Sequence, residues 1–294
     1  MFIFTCRPMD INHPFLALAN NFQNKTEIQL NSLREESVLE LVSSLLSTRP
    51  SECRSLSRFI TGAANGNPFL VRQQLISLEK EGYLVRNENN EWVWNIDVIE
   101  EMHGGSSSDA VSLLSGRMKK LPALTQQALK ICACIGKIID LYILGLLLQE
   151  AQSETNEDNE ALAKKAISTA IKEGFLAIGQ DGGVTFTHDL CNEAAYSLIE
   201  PERRASFHLK LGKALSEMIC PNLQQKYMYT IASQLARGNE LITGDDDRIS
   251  MAHVFKISGE KSMSAFAFAE AHYYFTKSIH LLREEDWRTQ YRLW

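Results

Sequence analysis

A histidine and an aspartate stand together at a predicted strand-to-helix corner, at His188 and Asp189. The β-branched and aromatic residues 184–187 favour a strand that ends there. Asp189 suits the first turn of a helix, whose dipole attracts negative charge, and its carboxylate is expected to cap the helix start. An imidazole at such a corner can donate a hydrogen bond to a phosphate. It can equally be a structural hydrogen-bond partner at the helix start, and the residues leave both interpretations open.

The Gly66-Asn67-Pro68 turn, inside a helical region, is a second candidate site. Proline in the first turn of a helix is favourable without any ligand, because its missing N–H would be unpaired there anyway. The sequence does not separate this structural role from a binding role.

Arg7 is a third candidate, at the end of a short apolar strand predicted over residues 2–6. The carboxyl ends of strands are where α/β sheets place groups that bind ligands. A plain arginine at the end of an edge strand is the alternative.

The order of these motifs resembles the C-terminal half of a signal-transduction ATPase of the STAND class, an AAA-like group of regulatory ATPases. The resemblance includes a Trp-Val-Trp strand at 92–94 and Ala-Ala-Tyr at 194–196, after the His-Asp corner. It covers essentially the whole chain and is closest to the modules joined to serine/threonine and histidine sensor kinases.

The resemblance implies a partial site for ADP or ATP, which an upstream ATPase core completes. Arg7 would sense the γ-phosphate and His188 would face the phosphates. Pro68 would pack against the adenine, with Gly66 and Asn67 beside the nucleotide. A kinase or cyclase output domain is also implied.

ATP hydrolysis requires a Gly-rich loop with Lys and Ser/Thr, and an acidic strand end. The nearest matches, at Lys137, Lys213 and Lys261, each lack part of that loop. We therefore expect the chain not to be an enzyme by itself. The resemblance implies that the catalytic half lies upstream of Met1, on a longer parent chain or a neighbouring gene product.

Periodicity and turn residues predict a mainly α chain in four parts. These are the remnant strand of an α/β ATPase core at 1–30, a helical lid with a β-hairpin at 31–104, a winged-helix domain at 109–200 and a TPR-like helical array at 201–294. A second strand is predicted over 26–30, and a β-hairpin is predicted with strands at 176–178 and 184–186. The Gly-Ser-rich segment 104–108 is the clearest linker.

Composition restricts the function. The 294 residues carry a formal net charge of −6, and residues 109–200 carry −4, with eight basic and twelve acidic side chains. DNA binding by the winged helix is therefore disfavoured, because phosphates attract positive charge. No apolar run reaches the ~18 residues that span a bilayer. Scattered cysteines and histidines indicate a cytoplasmic protein that holds no metal.

Two functions are favoured. The first is a nucleotide-sensing switch and relay, in which the lid and the winged helix close over a nucleotide and the array passes on the signal. The second is a scaffold whose solenoid groove contacts partner helices or peptides. Both predict protein partners for the array, and neither involves nucleic acid or a membrane.

Overall fold

The computed structural model describes Asn21 and residues 26–103, 110–152, 158–218 and 221–288. The chain forms two compact units, Met1–Ser107 and Ser108–Trp294. The described residues form thirteen α-helices and two small two-stranded sheets. The predicted mainly α fold is confirmed. Arg7 and the strand predicted over residues 2–6 lie outside the described residues.

The first unit consists of four helices and a β-hairpin. They are α1 (Glu35–Leu46), α2 (Pro50–Ala64), α3 (Pro68–Lys80), β1 (Leu84–Arg86), β2 (Trp92–Trp94) and α4 (Ile96–His103). The strands are antiparallel, and Val85 pairs with Val93 at the centre of the register. The helices bury apolar residues that recur at helical spacing, such as Val38 and Val42 on α1 and Leu56 and Ile60 on α2.

The strand predicted over residues 26–30 is wrong, because the structure has no strand there. The side chains of Ile28 and Leu30 are 79% and 92% exposed. An alternating pattern becomes a strand only where a neighbouring strand supplies hydrogen bonds. No such neighbour is found among the described residues.

The second unit begins with a part that we call the hairpin module, residues 110–200. It contains α5 (Ala110–Lys119), α6 (Ala123–Ile135), α7 (Leu141–Gln152), α8 (Asn159–Lys172), β3 (Leu176–Ile178), β4 (Val184–Phe186) and α9 (Asp189–Ser197). Ile139, between α6 and α7, pairs with Val184 through two backbone hydrogen bonds of 2.9 and 2.8 Å. The hairpin is thereby attached to the start of α7.

Local signals explain where α8 begins and ends. Asp158 Oδ2 accepts a hydrogen bond from the backbone N–H of Ala161 at 3.1 Å and caps the helix start. Gly174, with φ of +75°, ends the helix in the left-handed region that glycine adopts without strain. The chain then turns into β3 at the fully buried Phe175.

The remainder of the second unit, residues 201–288, is a helical array. It contains α10 (Pro201–Met218), α11 (Pro221–Gly238), α12 (Asp245–Ser264) and α13 (Phe268–His280), with short 3-10 helices at Asn239–Leu241 and Glu284–Arg288. Consecutive helices pack as two hairpins, α10 with α11 and α12 with α13. Glycines allow close approach: a Cβ at Gly259 would lie 2.7 Å from the ring of Phe275.

The ion pair between Arg248 and Asp286 stabilises the C-terminal end of the array. Arg248 on α12 donates to both carboxylate oxygens of Asp286 and to the carbonyl of Leu281. The Arg248 guanidinium and the backbone N–H of Arg283 lower the pKa of Asp286 to about 2. Among the described helices, none has the length and apolarity that a membrane crossing requires.

Candidate functional site at the junction of the hairpin module and the array

His188 is the N-cap of α9. Its backbone is extended, and its Nδ1 atom accepts a hydrogen bond from the backbone N–H of Leu190 at 3.1 Å. In a neutral imidazole one ring nitrogen accepts and the other carries the proton. Because Nδ1 accepts, the N–H of the neutral ring is on Nε2.

The neighbouring Thr187 fixes the corner. Its hydroxyl donates to the carbonyl of Gly174 at 2.7 Å, and its backbone N–H donates to the carbonyl of Phe175 at 3.1 Å. The expectation that Asp189 caps α9 is wrong, because Asp189 is already the first helical residue. A cap must keep extended backbone angles so that its side chain can reach the first free N–H groups, and His188 has them.

The Gly66-Asn67-Pro68 turn has a structural role in the first unit. Asn67 Oδ1 accepts from the backbone N–H groups of Phe69 and Leu70 at 3.0 and 3.3 Å and caps α3. Pro68 lies in the first turn of that helix.

Gly66 has φ of +69°, and its carbonyl accepts from the N–H of Leu33 at 2.9 Å. A Cβ on Gly66 would lie 2.3 Å from the Leu33 carbonyl oxygen. Glycine is therefore required at this position whether or not a nucleotide binds. Gly66, Asn67 and Pro68 are adjacent in the first unit, whereas His188 belongs to the second and Arg7 lies outside the described residues.

A buried chain of hydrogen bonds, which no motif in the sequence predicts, joins the hairpin module to the array. The hydroxyl of Tyr196 on α9 bonds to Nε2 of His208 on α10 at 3.0 Å. Nδ1 of His208 bonds to Oε1 of Gln234 on α11 at 2.6 Å, and Nε2 of Gln234 donates to the carbonyl of Cys134 on α6 at 2.7 Å. The chain thus connects four helices, and His208 and Gln234 are each 2% exposed.

The bonds assign every proton in this chain. Since the Gln234 amide nitrogen donates to Cys134, its oxygen faces His208, so Nδ1 of His208 carries the proton and donates. Nε2 therefore accepts from the Tyr196 hydroxyl. Burial lowers the pKa of His208, the hydrogen bond that its ring donates to Gln234 raises it, and the nearby Arg237 and Arg204 lower it further. His208 is thus held neutral.

The sequence does carry a signal for this buried chain of hydrogen bonds. His208 lies three residues before the buried Leu211, and Gln234 lies three residues after the buried Ile231. Each polar side chain therefore stands on the apolar face of its helix. Buried polar groups require hydrogen-bond partners, but the partners are 26 and 100 residues apart in sequence. No local pattern reveals them.

Two cavities lie beside this junction. One, of about 710 Å³, is lined by α6, α7 and α10, and includes Lys130, Arg203 and Lys210. The other, of about 460 Å³, is lined by the end of α6, by α11, and by Tyr274 of α13. Gln234 and Cys134 of the buried chain form part of its wall.

The buried cysteines of the second unit are poor nucleophiles. Burial raises the pKa of the Cys132 and Cys134 thiols to about 12 and that of Cys191 to about 11, so these thiols are protonated and unreactive. The described side chains form no group of three or more His, Cys, Asp or Glu placed to hold a metal ion.

Comparison with known proteins gives one informative similarity. The chain is 23% identical, over 313 aligned positions, to "Hybrid signal transduction histidine kinase G" of Dictyostelium discoideum. The match covers 88% of this chain and 9% of that protein, so the chain spans about a tenth of the relative's length. No model of a protein family matches the chain. The chain is thus similar to part of a signalling protein, and membership of the STAND class stays a prediction.

Proposed function

We propose that the chain is a regulatory relay within a signal-transduction protein and is not catalytic by itself. In this proposal the hairpin module is a winged helix that receives a signal, and the helical array passes the signal to protein partners. The buried chain from Tyr196 through His208 and Gln234 to Cys134 carries the proposal. Its three hydrogen bonds are satisfied together only when the module and the array keep one mutual arrangement.

A relay needs an element that has two discrete arrangements, and both the input site and the output site must shift the equilibrium between them. Leaving a buried polar group without its partner costs about 1–3 kcal/mol. A shift between α9 and α10 or between α6 and α11 would break a bond of the chain, so the junction favours one arrangement over intermediate ones. The similarity to a signal-transduction kinase supports this role, and because it covers so little of that protein, no activity is carried over.

Hydrogen exchange on the intact chain tests the relay. Ile131→Val removes one buried methylene from α6 and should cost about 0.5–1.5 kcal/mol. If the junction couples the two parts, amide exchange should accelerate about two- to tenfold in α12 and α13 as well as in the module.

Gln234→Leu keeps the side-chain volume but removes the bonds to His208 and Cys134. In that background the effect of Ile131→Val should be confined to the module.

Ser278→Ala is the matched control. Ser278 is 2% exposed, and its hydroxyl donates to the carbonyl of Ala252 at 2.8 Å, entirely within the array. The control therefore removes a buried hydrogen bond without touching the junction, and the coupling should survive. If Ile131→Val leaves exchange in α12 and α13 unchanged, the array is a scaffold that does not sense the module.

For the input signal we propose ADP or ATP, bound at a site that an upstream core completes. His188 favours this candidate because its cap fixes the neutral tautomer whose Nε2 carries a hydrogen-bond donor. Arg7 and the Gly66-Asn67-Pro68 turn enter this part of the proposal through the STAND resemblance alone. We do not propose DNA binding, because the module carries a net negative charge. In addition, Lys164 on α8 is already paired with Glu160 at 3.1 Å.

A further inference from the structure

One face of the array combines tyrosines with positive charges around the smaller cavity. We call it the tyrosine face. Its members are Lys226, Tyr229 and Arg237 on α11, Lys261 on α12, and Tyr273, Tyr274 and Lys277 on α13. Tyr229, Arg237 and Tyr274 line the cavity of about 460 Å³.

The rings form a continuous surface across two helices, α11 and α13. The centroids of Tyr229 and Tyr274 are 6.3 Å apart, and those of Tyr274 and Tyr273 are 5.3 Å apart. Nζ of Lys261 lies 5.1 Å from the centre of the Tyr229 ring, and Nζ of Lys277 lies 5.8 Å from that of Tyr273. Cation–π contacts of this length hold the lysines over the rings.

Three of the four cations of this face lack an ion pair in the part of the chain that the structure describes. Lys226, Arg237 and Lys277 have no carboxylate at ion-pair distance among the described residues. Burial raises the pKa of Tyr227 and of Tyr274, and the carboxylates of Asp140 and Glu270, respectively, raise these pKa values further. Residues 201–294 carry a net charge of +2, against −8 for residues 1–200. The positive charge of the protein is therefore concentrated on the array.

We propose that the tyrosine face docks an acidic peptide segment of a partner protein. Carboxylates of the peptide would meet Arg237 and Lys277, and one apolar side chain would enter the cavity that Tyr229 and Tyr274 help to line. Exposed tyrosines and arginines of this kind are typical of binding hot spots. The inference deepens the relay function by specifying what the array binds, and it rests on that function only in taking the array as the output side.

Single-stranded nucleic acid is the competing occupant of a surface rich in tyrosine and lysine. Bases would have to stack on free ring faces. Lys261 and Lys277 already lie over the faces of Tyr229 and Tyr273, and Tyr274 is only 9% exposed. The geometry therefore favours carboxylates at Arg237 and Lys277 over bases on the rings.

Selection from a phage-displayed library of random twelve-residue peptides tests the proposal on the full chain. We expect the enriched peptides to be acidic and to contain an apolar residue. The dissociation constant of a fluorescein-labelled enriched peptide should rise at least tenfold in the double variant Arg237→Glu/Lys277→Glu. Raising the ionic strength should also weaken binding, because the contacts are exposed.

The matched control is Lys130→Glu/Lys210→Glu, which reverses two cations at the larger cavity and should leave the dissociation constant unchanged. The proposal is overturned if the enriched peptides show no acidic bias, if both double variants bind equally, or if a twelve-nucleotide oligo-dT binds more tightly than the peptides. These outcomes are independent of hydrogen exchange, so a failed docking surface and a failed relay are distinguishable.

Discussion

At His188 two roles reside on the two nitrogen atoms of one imidazole. Nδ1 caps α9 through Leu190, while the nucleotide proposal requires the N–H on Nε2. Asparagine is among the best N-cap residues. Asparagine at position 188 would therefore still cap α9, but its short side chain could not donate the hydrogen bond that Nε2 offers. Substitution at this one position therefore separates stability from binding.

We expect His188→Ala to lower the free energy of unfolding by about 0.5–2 kcal/mol, because a cap is lost. His188→Asn should stay within a few tenths of the wild type, as measured by urea denaturation. If the imidazole contacts a phosphate, both variants should weaken ADP binding about ten- to hundred-fold in a protein that includes the upstream core. Wild-type ADP affinity in the asparagine variant would show that His188 is a cap and nothing more.

His208 predicts a pH dependence of stability. Burial lowers its pKa below the ordinary value, which is about 6.5. As the pH falls through about 6.5, the unfolded chain takes up a proton at His208 while the folded chain does not, so the folded state loses stability. Above that range the contribution is constant.

Urea denaturation at several pH values between about 5 and 8 measures this effect. Compared with His208→Gln, the wild type should lose up to about 1.4 kcal/mol more per pH unit below pH 6.5. Identical slopes in the two proteins would mean that His208 titrates equally in both states, contrary to the bonds described.

The elements differ in how far the sequence predicts them. The hairpin of β3 and β4 was predicted with its observed bounds, because β-branched residues flank a Gly-rich turn and need only each other as partners. The strand at 26–30 failed because its pattern specifies a face but no partner strand. At α9 the start was misjudged by one residue, which assigned the capping role to Asp189 instead of His188.

The buried chain could not have been predicted, since its residues come from four helices brought together by tertiary packing. What the sequence does show is polar residues on apolar helix faces, at His208 and Gln234. The site residues Gly66, Asn67 and Pro68 were recognised as a turn, and their structural role follows from local chemistry. Their role toward a nucleotide stays a prediction.

Close packing of α10 against α11 gives an element-scale prediction. A Cβ on Gly238 would lie 2.6 Å from the carbonyl oxygen of Ala205 and 2.7 Å from Cβ of Leu209. Because these are backbone and near-backbone atoms, α11 would have to move. Gly238→Ala should therefore destabilise the protein by about 1–3 kcal/mol in thermal or urea unfolding.

Gly116, on the exposed side of α5, is the matched control. A Cβ there meets nothing within 4 Å, so Gly116→Ala should stabilise the protein by about 0.5–1 kcal/mol through helix propensity alone. Equal effects of the two substitutions would mean that the α10–α11 contact is looser than the structure shows.

In the molecule as a whole, α11 connects the two proposals. Gln234 of the buried chain and Arg237 of the tyrosine face are one turn apart on this helix, and both line the smaller cavity. A peptide seated there would contact the wall formed by Gln234 and Cys134. Docking would therefore favour the arrangement in which the buried chain is intact, and linkage requires the module to affect peptide affinity in return.

The division into two units predicts where the whole chain is first cut by a protease. The boundary between Ser107 and Ser108 falls within the Gly-Ser-rich segment that the sequence marks as a linker. The segment lies outside the described residues, and its polar composition is typical of the linkers between domains at which proteases cut first. Brief subtilisin treatment should therefore cut first at 104–108.

The released fragment beginning near residue 110 should keep its own cooperative unfolding transition, because the buried chain and the Arg117–Glu173 ion pair, at 3.1 Å, lie wholly within it. The same fragment should also retain acidic-peptide binding, since every residue of the tyrosine face belongs to the second unit. Mass spectrometry of the first products and calorimetry of the fragment measure both points. Preferential cleavage inside 161–200 would contradict the division, because that segment contains the strand-to-helix corner and should be protected by the packing of α8, β3 and β4.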